Sequence, residues 1–274
     1  MHVAQLNVFP VKGCGGISVE EWDVGERGLR HDRRYVVVRP DGRFITQRDR
    51  AELALVATAI EGDRLVLRDS AGRSAAIPLA PHAGDRLAVT VWGDVVEAIL
   101  PSPEADALLS AALGEPLRIA WMPEDAERRT AEKRGLPQRA ISFADATPMH
   151  VATEAALTEL NARLAAKGIP AVGMERFRAN VVVAGAAANE DDAWRRVTVG
   201  NVELRVTDSC KRCKVVTIDQ KTAVRVSSEP MDTLKAYRFE EGPVSNGASF
   251  GQRLTVERGG TIRVGDPVVG FPAA

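Results

Sequence analysis

Through the first hundred positions of the 274-residue chain, apolar and polar residues alternate in short runs, each closed by turn-forming residues. Residues 1–8 already alternate like a strand, and the pattern returns at 18–24, 35–38, 53–59, 64–67 and 87–91. A two-residue period sends successive side chains to opposite faces, so this half reads as nearly all β. Pro40-Asp41-Gly42, between Tyr35-Val36-Val37-Val38 and Phe44-Ile45, predicts a hairpin. Antiparallel meanders of this kind close into barrels, because closure removes exposed edges.

After residue 100 the period changes. Ser102 suits the cap of a short helix, Pro103 its first turn, Leu108 and Leu109 its buried side and Gly114 its end. The stretch 123–138 is charged and poor in large apolar groups, which marks a connecting or active-site loop near a domain boundary. A second helix starts from a Thr153 cap with Glu154 in its first turn. It shows Leu157, Leu160 and Leu164 on one face and ends at Lys167-Gly168. Strands are expected again at 180–183, 202–206 and 214–218, then a short helix over 228–237 and a terminal strand pair near Leu254 and 262–268. The fold class is α+β and β-rich, without an internal repeat.

Composition narrows the function. With 45% hydrophobic and 27% charged residues the chain has ample material for a core, and its net charge of −1 gives no global reason to expect nucleic acid. Any anion binding must be local. No run approaches the roughly 20 apolar residues that cross a bilayer, so no membrane partner is expected. The amino terminus lacks the basic and apolar regions of a signal peptide, and a cytoplasmic location is the expectation. Cys14, Cys210 and Cys213 cannot all pair with one another, and a reducing compartment would keep them as thiols.

The run Cys210-Lys211-Arg212-Cys213 carries the chemistry, two thiols and two cations expected in a turn between two β-branched strands. Cations favour the thiolate, the form that binds metals and attacks electrophiles. Four readings compete. A closed zinc site needs four ligands, and no second Cys-x-x-Cys or His-x-x-x-His accompanies this one. A thioredoxin-like dithiol opens a helix, whereas Val215-Val216-Thr217-Ile218 reads as strand. Two buried apolar cysteines are a common arrangement, though the surrounding charge weighs against it. The fourth reading is a single thiolate on a metal whose other ligands come from an organic cofactor.

Seven landmarks then carry a resemblance. Pro10-Val11-Lys12-Gly13-Cys14, Asp32-Arg33-Arg34-Tyr35 followed by Thr46-Gln47-Arg48, Asp145-Ala146-Thr147-Pro148, Phe177-Arg178-Ala179-Asn180, Arg212-Cys213, Leu234-Lys235-Ala236-Tyr237-Arg238 and Phe250-Gly251-Gln252 resemble, in order, those of the MOSC family. The branch resembled holds bacterial YcbX-type proteins and the mitochondrial amidoxime-reducing component. The resemblance implies an N-terminal MOSC-associated β-barrel domain over residues 1–120 and a MOSC-type β-barrel domain with inserted helices over 121–274, the cofactor site lying between the two.

It implies as well a molybdenum cofactor (Mo-molybdopterin), held by its pterin dithiolene and by one cysteine. That role, metal ligand and catalytic centre together, passes to Cys213, which follows arginine, and not to Cys210. Lys12, Arg33 and Arg178 resemble the family's phosphate- and pterin-holding cations. Asp145, Ala146, Thr147 and Asn180 resemble its polar pterin contacts, Lys211 and Arg212 flank the metal ligand, and Arg253 falls on another cofactor-contacting position. Gly13 and Ala146 stand where mitochondrial relatives have hydroxyl residues, and Lys211 replaces a serine. The implied activity is reduction of amidoximes, hydroxylamines or N-hydroxylated bases by oxygen-atom transfer, with electrons from a separate flavin or iron-sulfur protein. The alternative is a non-catalytic cofactor carrier or sulfur-handling module, since the same domain also ends cofactor sulfurases; resemblance end to end without a pyridoxal-phosphate domain makes the reductase the expectation.

Overall fold

A computed structural model of the chain describes residues 1–132, 136–241 and 246–272. The first alternating run forms the strand His2–Val8, whose Val3, Leu6 and Val8 are fully buried. It does not stay with the first half of the chain. It pairs with Val181–Ala184 on one side and with Ile17–Val19 on the other, which places it in a nine-stranded sheet of the described residues. That sheet runs Val268–Pro272, Trp194–Val199, Val202–Lys211, Gly247–Arg258, Met149–Thr153, Val181–Ala184, His2–Val8 and Ile17–Val19, with Phe239–Glu240 also paired to Gly247–Arg258. A five-stranded sheet takes Asp85–Val91, Asp94–Leu100, Arg118–Trp121, Tyr35–Val38 and Val11–Lys12. Two three-stranded sheets complete the β framework, one of them built from Ala57–Glu61, Arg64–Arg68 and Ser74–Pro78.

The helix signals hold in detail. Ser102 Oγ accepts from the Ala105 amide at 3.2 Å ahead of the helix Pro103–Leu113, and Gly114 closes it in the left-handed region at φ 71°. Thr153 Oγ1 accepts from the Ala156 amide at 3.1 Å before Glu154–Ala165, which buries Leu160 and Leu164. The hairpin at Pro40-Asp41-Gly42 forms, with Val38 bridging Phe44 and the Ile45 amide donating to the Val37 carbonyl at 2.9 Å. Among the described residues no helix is long and apolar enough to cross a membrane.

Five expectations need correction. The run 18–24 splits into Ile17–Val19 and Glu21–Gly25, which join different sheets, because the Glu20 carbonyl is taken by the Val264 amide. The run 53–59 opens as a 3-10 turn, Ala51–Leu55, which sinks Leu53 into the core before Ala57–Glu61 extends. The helix expected over 228–237 is Met231–Arg238, starting after Pro230, which has no N–H to give a preceding turn. Leu254 and Ile262 lie in Gly247–Arg258 and Gly260–Arg263, which pair elsewhere; the chain changes sheet at Gly259, where a Cβ would sit 2.4 Å from the Val24 carbonyl oxygen.

The fifth correction touches the thiols. Cys210 and Lys211 end the strand Val202–Lys211, and Lys214–Thr217 is a 3-10 turn where a strand was expected. Thr217 Oγ1 donates to the Lys214 carbonyl at 2.7 Å, and Val216 and Thr217 are buried. Local side-chain bonding and burial thus override the β propensity of a Val-Val-Thr-Ile run. Of the charged stretch 123–138, residues 133–135 lie outside the described part. The remainder forms a loop whose buried Arg128 donates to the Ser142 and Ala144 carbonyls at 2.6 and 2.7 Å.

Candidate functional site

Segments from both halves of the chain end around one cleft of about 170 Å³. All twelve residues that the resemblance assigns to the site line it: Lys12, Gly13, Arg33, Asp145, Ala146, Thr147, Arg178, Asn180, Lys211, Arg212, Cys213 and Arg253. They arrive from the end of Val11–Lys12, from the loops around 33, 145 and 178, and from the strands Val202–Lys211 and Gly247–Arg258.

The deep wall is crowded with cations. Arg33 and Arg178 both lie over the Phe9 ring, each with its guanidinium carbon 4.3 Å from the centroid. Both hold left-handed backbone, φ 48° and 53°, a costly conformation for arginine that marks a constrained site. Arg33 Nη1 donates to Asp32 at 2.6 Å and to Asn180 Oδ1 at 3.1 Å, and its Nη2 donates to the Arg178 carbonyl at 3.2 Å. Arg178 Nη1 donates to the Cys14 carbonyl at 2.8 Å. Burial, and then the neighbouring Arg33, push the Arg178 guanidinium down to about 9. This cation is undercompensated by protein, and an anionic ligand would relieve it.

Lys12 pairs with Asp145 and donates to the Phe143 carbonyl at 2.8 Å. Burial lowers the Lys12 ammonium from its ordinary range, and Asp145 restores it only in part. Burial alone would raise the Asp145 carboxyl, but Lys12, Arg48 and Trp92 together hold it well below the usual carboxylate range. Gly13, at φ 90°, offers its carbonyl to Gln47 Nε2 at 2.7 Å, and Thr147 Oγ1 donates to the Met149 carbonyl at 3.1 Å.

The two thiols face different cations. Arg48 Nη1 donates to Cys213 Sγ at 3.3 Å. Arg212 Nη1 donates to Cys210 Sγ at 2.9 Å, and its Nη2 donates to the Phe177 carbonyl at 2.8 Å. Burial would raise the Cys210 thiol; Arg212, then His150 and Arg253, outweigh it and hold that thiol well below its ordinary value. Arg253 is itself shared with Asp208 at 3.1 Å, and Lys211 pairs with Glu240. Nε of Arg212 is buried without a hydrogen-bond partner among the described residues.

Asn180, which the resemblance sets among the polar pterin contacts, is hydrogen-bonded on both sides by the protein. Its Nδ2 donates to the Asn7 carbonyl and to Asp32 at 3.1 Å each, while its Oδ1 accepts from Arg33 and, at 3.2 Å, from the His150 amide. With its side chain fully engaged by protein, it positions Arg33. Sequence reasoning missed Arg48, His150 and Trp92. Thr46-Gln47-Arg48 stood among the landmarks, which was the signal for Arg48. Trp92, whose indole N–H donates to Asp145 at 3.1 Å, lies in a hairpin that nothing local tied to the thiols.

Family models match in the same order as the two halves: a MOSC N-terminal beta barrel domain over residues 1–116 and a MOSC domain over residues 138–269. The chain is 33% identical to human mitochondrial amidoxime-reducing component 1 across 97% of its own length and 82% of the relative's. It belongs to the MOSC family. Mouse mitochondrial amidoxime-reducing component 1 and rat mitochondrial amidoxime reducing component 2 are each 32% identical, again over 97% of this MOSC chain and over 81% and 82% of theirs.

The donor set fits the molybdenum cofactor that the MOSC resemblance implies. One half-buried thiol with an arginine on its sulfur is available to a soft metal, and a phosphate is the kind of anion that the buried Arg178, beside Arg33, lacks. No group of three or more His, Cys, Asp or Glu converges among the described residues.

Proposed function

We propose that this MOSC protein is a molybdenum-cofactor-dependent reductase of N-hydroxylated compounds, amidoximes, hydroxylamines or N-hydroxylated bases, supplied with electrons by a separate flavin or iron-sulfur protein. The observation that carries the reading is the convergence of all twelve sequence-assigned residues on one cation-walled cleft with Cys213 in its lining. The relatives named for amidoxime reduction support the same class of reaction.

When bound, the cofactor supplies the redox couple for removing oxygen from an N–O bond. The chain supplies the rest. Cys213 offers its sulfur as the protein's ligand, oriented by the Arg48 N–H. Arg33 and Arg178 would hold the phosphate, with Asn180 and Asp32 fixing the Arg33 fork. Lys12 and Asp145, held together as a pair, would offer charge and hydrogen bonds to the pterin. Arg212 holds Cys210 and Arg48 holds Cys213, so each thiol has its own arginine.

The test is metal analysis of protein made in a cofactor-competent host, followed by benzamidoxime reduction with a chemical electron donor. The reading expects close to one molybdenum per chain and turnover to benzamidine. Molybdenum without turnover of any N-hydroxylated compound would favour a carrier, and absence of molybdenum would remove both.

A further inference from the structure

Trp92 is the large aromatic left open beside the cleft. It sits at the tip of the hairpin joining Asp85–Val91 to Asp94–Leu100, where Val91 pairs with Asp94 and Trp92-Gly93 make the two-residue turn. Such turns need positive φ at both positions, and asparagine or glycine meets that need at least cost. Trp92 adopts φ 53° nonetheless, beside Gly93 at φ 97°, and remains 53% exposed. A bulky side chain kept in left-handed backbone, in solvent, where a cheaper turn residue would fold as well, points to use of the ring.

Its surroundings aim that ring at the chemistry. The indole N–H donates to Asp145 at 3.1 Å, Phe44 meets it edge-on at 5.1 Å, and the Arg48 guanidinium carbon lies 4.6 Å from a Trp92 ring centroid. The same guanidinium donates to Cys213 Sγ at 3.3 Å. The ring therefore lies no more than about 9 Å from the sulfur, roughly the span of a substituted benzene ring. Arg48 and Phe44 pack against the ring, and about half of Trp92 stays exposed.

We propose that Trp92 is an aromatic platform at the cleft mouth, on which the flat face of an aromatic N-hydroxylated substrate stacks while its N–OH group enters toward Cys213. The proposal rests on the reductase reading and deepens it, from N-hydroxylated compounds in general to planar aromatic ones. Stacking of this kind strengthens binding by about tenfold, whereas an aliphatic analogue has no π-face to offer.

The experiment uses the loaded protein, its Trp92→Ala and Trp92→Phe variants, and two probes, benzamidoxime and acetamidoxime. Calorimetry without an electron donor measures binding, and steady-state kinetics with a chemical donor separates KM from kcat. For Trp92→Ala, benzamidoxime affinity and KM should weaken about tenfold relative to those of acetamidoxime, beyond any change that loss of the Asp145 hydrogen bond brings to both probes alike. Trp92→Phe, which keeps a ring but loses the N–H to Asp145, should stay within about threefold of the parent. Acetamidoxime weakened as much as benzamidoxime, a Phe variant as poor as the Ala variant, or no measurable benzamidoxime binding to the parent would each overturn the platform. Ring-dependent binding without turnover of either probe would instead sustain the platform and remove the reductase reading.

Discussion

At the scale of single residues the cleft trades stability for binding. Arg178 is held against Arg33 in left-handed backbone, with burial and its neighbour pushing the guanidinium down to about 9. Arg178→Met removes that unfavourable charge and one hydrogen bond to the Cys14 carbonyl. The cofactor-free variant should be at least as stable as the parent in urea, while molybdenum retained through purification falls about tenfold. A loss of more than about 2 kcal/mol from the cofactor-free protein would mean that Arg178 is a structural group. His31 offers a test by pH. Burial, then Arg30, lower its imidazole to about 4, whereas an unfolded histidine titrates near 6.5. As pH falls through that window the unfolded chain takes up the proton first, so His31 lowers stability between about pH 6.5 and 4 and contributes no slope above it. His31→Asn, which tolerates the φ of 66° at this position, should shed up to about 2 kcal/mol of that acid sensitivity, measured as urea midpoints at pH 4 and 7.

At the scale of elements, what was legible in the sequence is what local chemistry decides. Ser102 and Thr153 cap their helices, Gly114 ends one of them, and Pro40-Asp41-Gly42 turns a hairpin, because each acts within a few residues of itself. The run 214–218 reads as strand for the same reason and is not one, since the Thr217 hydroxyl and the burial of Val216 close a 3-10 turn behind Cys213. The premise that set aside a helix-like start after the thiols was therefore wrong, although a single 3-10 turn is still no thioredoxin helix. Thr217→Val keeps shape and removes the bond to the Lys214 carbonyl. It should cost about 1 kcal/mol in equilibrium unfolding and loosen Cys213, seen as lower molybdenum occupancy. Unchanged occupancy at reduced stability would confine the turn to a structural role. Trp92 was illegible for the opposite reason, since only tertiary pairing carries its hairpin to Asp145.

At the scale of the whole molecule the chain closes on itself. His2–Val8, the first strand, is hydrogen-bonded between Val181–Ala184 and Ile17–Val19, and its Val3, Leu6 and Val8 share a core with Leu204, Leu254 and Trp194. A fragment of residues 121–274 lacks that strand, leaving an open sheet edge and missing core side chains. It should show no cooperative thermal transition by circular dichroism, and a sharp transition would mean that the second half folds without the first. The same closure brings Lys12 and Arg33 against Arg178, Cys213 and Arg253, so the cleft exists only in the complete fold. In the proposed reductase one thiol of the pair, Cys213, is the protein's ligand to molybdenum. Molybdenum X-ray absorption on the parent, Cys210→Ser and Cys213→Ser proteins tests it most directly: the parent and Cys210→Ser should share one sulfur count, with one sulfur fewer in Cys213→Ser. Loss of that sulfur in Cys210→Ser, with Cys213→Ser unchanged, would contradict the account.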